Sequence, residues 1–162
     1  MTAQIVQINV KPQTGSERGI PKIAVPKAEV TCAGIVGDFN RYRTADLESS
    51  EHMAVSLLPI EVIEALSAEG WPVEPGHLGE NFTMRGISCD QFAIGQKYRL
   101  GEVEIELTEE IKPCRNLYVL PYVGVQRGPE LLEALVDRRG WYARVLREGM
   151  IRAEDGVERV GE

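Results

Sequence analysis

Cys114 is the residue of this sequence whose surroundings best suit sulfur chemistry. It stands between Pro113 and Arg115, with Lys112 two positions before it, at the end of a strand-like run. Nearby cations favour the thiolate over the thiol, and the thiolate is the form of cysteine that attacks, carries sulfur or binds a metal. The pattern indicates a nucleophile, a sulfur carrier or a metal ligand. The spacing alone leaves open a strand-end cysteine with no chemical role.

Two other loops bring unusual polar residues together. One joins Gly37 and Asp38 to Arg41, and the other carries Glu80 and Asn81 into an apparent strand. Glycine permits close backbone approach, and carboxylate and carboxamide groups can either bind a ligand or cap backbone amides. If the fold brings both loops to Cys114, an anionic ligand is expected, because a guanidinium group binds two oxygens at once.

Several kinds of site are excluded by what the sequence lacks. No histidine stands near Cys114, so there is no evident Cys-His pair for acyl transfer. Two histidines and no Cys-x-x-Cys argue against a zinc site, and neither common phosphate-binding glycine motif is present. The other cysteines, Cys32 and Cys89, are widely spaced, which indicates free thiols in a reducing compartment, and both are expected to fill core space.

The bulk composition fits one soluble domain. The 162 residues are 43% hydrophobic and 27% charged, with 25 acidic against 18 basic residues and a formal net charge of -7. This balance argues against a nucleic-acid partner, since such binding depends on neutralised phosphates. The sequence has neither a secretory N-terminal pattern nor a membrane-length apolar stretch, so we expect a cytoplasmic protein with no membrane partner.

Short strands must position these loops. Strands are predicted over 3–10, 20–25, 28–32 and 53–57, and a hairpin is predicted over 98–107, with more strands around the turn signals at 148–149 and 155–156. Helices are predicted from Pro59 to Gly70 and, beginning at Pro129, from Glu130 to Arg138. The segment 118–125 is expected to be a loop or an edge strand. Together these elements predict a mainly β fold, an antiparallel β-barrel with a few flanking α-helices.

Four stretches, in this order, resemble one known family. They are Gly34–Asp38 (GIVGD), Pro75–Thr83 (PGHLGENFT), Lys112–Arg115 (KPCR) and Arg139–Val145 (RGWYARV). The combination is similar to the MOSC domain, which is named from the C-terminal part of molybdenum cofactor sulfurase. The resemblance spans roughly residues 3–160, which predicts a single, standalone MOSC domain with the β-barrel of that family.

The resemblance also implies chemistry. It makes Cys114 the predicted catalytic residue, as a persulfide carrier or a molybdenum ligand, and it implies binding of the molybdenum cofactor. Proposed sulfur donors of the family are pyridoxal-phosphate cysteine desulfurases; pyridoxal phosphate thus belongs to the partner's chemistry, and no bound pyridoxal phosphate is expected in this chain. A desulfurase or a molybdoenzyme is the expected partner. The predicted cofactor-binding residues are Gly37, Asp38, Arg41, Glu80, Asn81, Lys112, Arg115 and Arg144, with Arg41, Arg115 and Arg144 available for the pterin phosphate.

One position departs from the family pattern. The first motif often continues to a histidine where this chain has Asn40, which removes a titratable group from that loop. Asparagine still donates and accepts hydrogen bonds, so binding is less affected than proton transfer.

Three functions are therefore compatible with the sequence. The first is a sulfur carrier or molybdenum cofactor binder acting through Cys114. The second is a molybdenum-dependent reductase of N-hydroxylated compounds, which would need an external electron-transfer partner because the sequence has no flavin or iron-sulfur motif. The third is a non-enzymatic barrel that binds an anion or a protein partner. The sequence does not decide whether the chain is an enzyme.

Overall fold

A computed structural model describes residues 2–12, 19–39 and 51–161. Within these ranges the strands are β1 Gln4–Val10, β2 Ile23–Val25, β3 Lys27–Thr31, β4 Gly34–Ile35, β5 Val55–Pro59, β6 Phe82–Arg85, β7 Lys97–Leu100, β8 Val103–Glu110, β9 Trp141–Arg147, β10 Gly149–Arg152 and β11 Val157–Val160. The α-helices of the same ranges are α1 Ile60–Ala68 and α2 Gly124–Ala134, and short 3₁₀ helices cover Cys89–Gln91 and Arg115–Val119.

The strands form a large mixed sheet and a small antiparallel one. The eight-stranded sheet has the order β11-β7-β8-β9-β5-β6-β1-β2, and the three-stranded sheet has the order β10-β3-β4. The pairing is antiparallel except between β5 and β6, which are parallel because α1 carries the chain back between them. Backbone hydrogen bonds of 2.9 Å join Ile5 to Asp155 and Glu154, so the two ends of the large sheet approach each other. The prediction of a mainly β fold is confirmed.

The core follows the strand and helix periodicities. In β8, Val103, Ile105 and Leu107 are fully buried, and the glutamates between them point to the other face. Helix α1 packs Ile63 and Leu66 into a second apolar cluster that lies against α2 and the 3₁₀ helix after residue 114. The buried β8 residues belong to the first apolar cluster, and the second cluster includes Leu117 of the 3₁₀ helix that follows Cys114.

The second helix differs from its prediction. It begins at Gly124 rather than at Pro129, and it ends at Ala134 rather than at Arg138. Proline suits the first helical turn, which suggested a start at Pro129. The helix starts earlier because it packs closely on the preceding 3₁₀ helix: a Cβ on Gly128 would overlap the ring of Tyr118.

The cysteines are free thiols, as predicted, but one lies elsewhere than expected. Cys32 is exposed in the turn between β3 and β4, so its assignment to the core is wrong. Its backbone amide donates to Glu148 Oε2 at 2.8 Å, which places it at a polar corner. Cys89 and Cys114 are half-buried.

Candidate functional site

Cys114 lies in the wall of a cavity of about 300 Å³. This size is at the lower end of the range for small-molecule sites, which is roughly 300–1,000 Å³. The walls come from segments that are distant in sequence but meet beyond the end of β8. The lining residues are Gly19, Ile20, Lys22, Phe39, Met53, Gly79, Glu109, Ile111, Lys112, Pro113, Cys114, Asn116, Arg139 and Tyr142.

Cys114 is positioned between two fixed backbone elements. After β8, the amide of Ile111 donates to the carbonyl of Gly140 at 2.9 Å, so the chain remains attached to the segment that leads into β9. Cys114 itself is extended and caps the 3₁₀ helix, and its carbonyl accepts from the amide of Leu117 at 3.2 Å. Leu117 is fully buried, so the short helix is anchored in the core. The backbone on both sides of Cys114 is therefore fixed by hydrogen bonds.

An irregularity in β8 shapes the adjacent wall. The register between β8 and β9 shifts after Leu107, so that Glu109 lies opposite Tyr142, and both line the cavity. Such a bulge redirects side chains that a regular strand would alternate. Thr108, at the shift, donates its hydroxyl to the carbonyl of His52 at 2.6 Å, which fixes the neighbouring segment.

Asp38 has a structural partner within the protein. One of its carboxylate oxygens lies 2.6 Å from the ammonium of Lys22 and accepts from the amide of Lys11 at 2.8 Å. The other accepts from Asn81 Nδ2 at 2.9 Å. The Lys22 side chain is 3% exposed and that of Asp38 is 0% exposed. Asp38 is therefore half of a buried ion pair, and its partner Lys22 borders the cavity.

Asn81 joins three parts of the fold. Its amide nitrogen also donates to the carbonyl of Asn9 at 3.2 Å, and its side-chain oxygen accepts from the amide of Ser56 at 3.1 Å. The backbone adds a 2.7 Å bond from the amide of Asn9 to the carbonyl of Asn81. Because β1, β5 and the Asp38 turn all depend on this residue, it acts as a structural connector.

Glu80 is equally buried. Its carboxylate accepts from the Thr83 hydroxyl at 2.8 Å and from the amide of Gly76 at 3.1 Å. Burial raises the pKa of Glu80, while these bonds and the charge of Arg139 act in the opposite direction. The Glu80 carboxyl group therefore loses its proton at a lower pH in the unfolded chain than in the folded protein. As a result, Glu80 makes folding less favourable as the pH rises above the ordinary carboxyl range.

A glycine lets the loop before Glu80 approach Lys22. Gly76 has φ +91°, and a Cβ there would lie 2.6 Å from the carbonyl oxygen of Lys22. The amide of Lys22 donates to the carbonyl of Gly76 at 2.9 Å. Only glycine allows this contact without strain, so the second motif holds the Lys22 segment against the cavity.

The remaining predicted residues lie at different distances from the cavity. Lys112 lines it, is 76% exposed and stands 3.6 Å from Glu110. Arg115 is exposed on the 3₁₀ helix, and Arg144 is exposed on β9, where its Nε lies 3.6 Å from Glu106. Gly37 is exposed in its turn. Arg115, Arg144 and Gly37 are not among the described residues of the lining, and Arg41 and Asn40 lie outside the described ranges.

Two buried cations of the wall were not predicted. Arg139 is 8% exposed; in the sequence it directly follows the predicted end of the second helix at Arg138, where a cation is expected simply because it suits the helix dipole. Its guanidinium lies beside Gly79: a Cβ atom placed on that glycine would be 3.9 Å from Arg139 Nη2. Lys22 stands in a short strand region with no local motif. The first residue of the RGWYARV stretch was a signal for Arg139; no comparable signal marked Lys22.

The charges of this site are arranged in two layers. Lys22, Lys112 and Arg139 line the cavity with a single carboxylate, Glu109, among the described residues. The side chain of Asp38 and the residue Glu80 are 0% and 1% exposed, and neither residue is among the described lining. Among the charged residues of the described lining, cations therefore outnumber carboxylates by three to one, and they lie beside the Cys114 thiol in a largely apolar wall.

A second, larger groove has the opposite character. It measures about 530 Å³ and lies beside α1, where it contains Cys89. Burial raises the pKa of the Cys89 thiol to about 11, with Glu110, Asp90 and Glu61 adding to the shift. A thiol held neutral in this way is a poor nucleophile.

A site for a bare metal ion is not evident in the part of the chain that the structure describes, because no three His, Cys, Asp or Glu side chains come together there. A metal that arrives with a cofactor's own ligands needs fewer protein ligands, and the Cys114 thiol is a donor that suits a soft metal. None of the described helices has both the length and the apolar character needed to cross a membrane.

Comparison with known proteins agrees with this fold and these motifs. The MOSC domain model matches residues 44–158, and the chain belongs to the MOSC domain family. Among solved structures it is similar to YiiM from Geobacillus stearothermophilus, with 28% identity and a TM-score of 0.75 over 98% of this chain and 75% of that one. The YUAD protein from Bacillus subtilis is 18% identical with a TM-score of 0.80, over 100% and 98% of the two chains.

YiiM from Escherichia coli shows the same fold at 20% identity, with a TM-score of 0.72 over 100% of this chain and 71% of that one. A search of curated proteins found no match for the sequence. The comparisons thus establish the family and the fold.

Proposed function

We propose that this MOSC protein handles sulfur or the molybdenum cofactor through Cys114. The observation that carries the proposal is the position of Cys114 in the same cavity wall as Lys22, Lys112 and Arg139. A cysteine sulfur beside two buried cations and one exposed cation can hold an anionic ligand and, in its thiolate form, react with that ligand or bind its metal.

The residues present fit the molybdenum cofactor. Arg139 offers a planar fork for phosphate oxygens, Lys22 and Lys112 offer ammonium donors, and Cys114 offers a thiolate to molybdenum. Bound there, the cofactor would supply the redox chemistry of its metal.

Sulfur carriage requires one balanced step at Cys114. The thiolate attacks the terminal sulfur of a donor persulfide, such as that of a cysteine desulfurase. A new S–S bond forms on Cys114 while the donor's S–S bond breaks, and the donor cysteine leaves as a thiolate. The exchange needs no external oxidant or reductant.

The test compares two cysteine variants. Protein purified from a host that makes the cofactor is analysed for molybdenum and pterin, and a second sample is treated with a desulfurase and cysteine and analysed for persulfide by mass spectrometry. We expect a signal in the wild type that is lost in Cys114→Ser and retained in Cys32→Ser, which removes an exposed thiol that is not among the described lining residues. A signal unchanged in Cys114→Ser would overturn the assignment.

The same samples distinguish the other hypotheses of the sequence. Retained cofactor together with turnover of N-hydroxylated compounds, given an electron donor, would extend the proposal to a reductase. Absence of both cofactor and persulfide, with Cys114 alkylated no faster than a model thiol, would instead identify a binding module.

A further inference from the structure

The ion pair between Lys22 and Asp38 stands at the edge of the Cys114 cavity. Lys22 lines the cavity, whereas Asp38 is not among its described lining residues and lies behind Lys22 at 2.6 Å. Both side chains are almost completely buried. Of the two residues of the pair, Lys22 is therefore the one that borders the cavity.

The position of Lys22 is determined from several directions. Its ammonium donates to Asp38 Oδ1 and, at 3.1 Å, to the carbonyl of Phe39. Asp38 is in turn held by the amide of Lys11 and by Asn81 Nδ2. Asn81 belongs to the buried network that joins β1 and β5. By contrast, Lys112 is a mostly exposed side chain on the same wall.

We propose that Lys22 is the fixed cation that an oxyanion meets in the Cys114 cavity, and that Asp38 and Asn81 are positioning residues that act through Lys22. This rests on the proposed function, whose ligands are anionic. A charge held in place before binding interacts more strongly than one that must be ordered, and low surrounding polarity increases the interaction further. The buried carboxylate of Asp38 offsets part of the desolvation cost of the Lys22 ammonium.

This assigns a role to two motif residues that do not line the cavity. Asp38 and Asn81 were expected to touch the ligand, but their hydrogen bonds go to Lys22 and to the backbone of β1 and β5. The ligand class follows from the donors: a small tetrahedral oxyanion, either free or as the phosphate of a larger molecule.

The experiment uses inorganic phosphate as the probe. Affinity is measured by calorimetry on the whole chain, with ionic strength held constant by chloride. We expect Lys22→Met to lower the affinity about tenfold or more, the effect of losing one charge-assisted hydrogen bond. Lys22→Arg should retain most of it. Lys27→Met, an exposed lysine on β3, is the matched control and should bind as the wild type does.

The positioning role is tested with a double-mutant cycle. Asp38→Asn should weaken phosphate binding when Lys22 is present and have little effect in the Lys22→Met background, because Asp38 acts through Lys22. The double variant also removes both charges together, so it should fold even if a single variant leaves a buried charge that prevents folding.

Three outcomes would overturn the inference. They are unchanged phosphate affinity in a folded Lys22→Met or double variant, an equal effect of Asp38→Asn in both backgrounds, and absence of phosphate binding by the wild type. Cys114→Ser separates this inference from the proposed function. Phosphate binding retained in that variant supports the subsite independently of sulfur, whereas a Cys114-dependent persulfide without phosphate binding leaves the proposed function standing alone.

Discussion

The two cavities each contain a half-buried cysteine, yet their surroundings have opposite charge. Cys114 shares its wall with three cations, two of them buried. Cys89 lies in a groove lined by four carboxylates and by Arg138, whose guanidinium forms bonds of 2.8 and 2.6 Å with Glu69. At similar burial, the two thiols therefore have charged neighbours of opposite sign.

The difference teaches where to look for the charges that act on a cysteine. Arg115, which adjoins Cys114 in sequence, is exposed outside the described lining, while Lys22 and Arg139 reach the cavity from distant segments. Two of the three cations in the described wall are therefore brought there by the tertiary fold, and only Lys112 is a neighbour of Cys114 in sequence. Four experiments can break or sharpen this comparison.

The largest expected effect concerns the buried pair behind Cys114. Asp38→Asn removes the carboxylate that lies 2.6 Å from the buried ammonium of Lys22, which should lower the free energy of unfolding by about 3–5 kcal/mol. Asp90→Asn, the matched change in the Cys89 groove, alters an exposed carboxylate and should shift it by less than about 0.5 kcal/mol. Urea unfolding of both variants measures the difference. Equal losses would contradict the layered arrangement.

The reactivity of Cys89 should be lower than that of a model thiol by about a hundredfold at pH 8. With a pKa of about 11, roughly one molecule in a thousand carries the thiolate at that pH, against roughly a quarter for an ordinary cysteine. The rate should rise about tenfold per pH unit until the pH nears that value. Iodoacetamide labelling of a Cys32→Ser, Cys114→Ser variant measures it. A plateau near pH 9 would be inconsistent with the carboxylate-lined groove.

The charge of a thiol reagent should change the relative modification rates of Cys114 and Cys89. Each charge type should favour one of the two cysteines by about tenfold. A methanethiosulfonate that carries a sulfonate should favour Cys114, and one that carries a trimethylammonium group should favour Cys89. Taking the ratio of the two rates at each cysteine cancels its intrinsic nucleophilicity. Added salt should reduce both preferences, since the charges are partly screened. The same preference at both cysteines would refute the contrast.

Most of the fold could be predicted from the sequence because alternation and turn signals are local. The strand at Gln4–Val10, the helix after Pro59 and the hairpin of β7 and β8 follow from such patterns. The start of α2 could not, because it depends on the packing of Gly128 against Tyr118. The parallel pairing of β5 and β6 depends on which strands meet, and that is a tertiary property.

The site could be predicted only in part for the same reason. Motifs identified Cys114 and Lys112 as residues of one loop, and both line the cavity. They also identified Asp38, but a carboxylate in a glycine-containing loop looks the same whether it contacts a ligand or a buried lysine. Lys22 became recognisable only when the fold placed its ammonium 2.6 Å from Asp38.

The smallest expected effect compares two lysines of one cavity wall. Lys112 is 76% exposed and lies 3.6 Å from Glu110, so Lys112→Met removes a solvated pair and should change the free energy of unfolding by less than about 0.5 kcal/mol. Lys22→Met removes the same type of side chain from a buried pair and should cost several-fold more. Denaturant unfolding of the two variants side by side gives both values. If Lys112→Met cost more than about 1 kcal/mol, the exposed lysine would also be part of the structural framework, and the distinction between a mobile and a fixed cation in this wall would no longer hold.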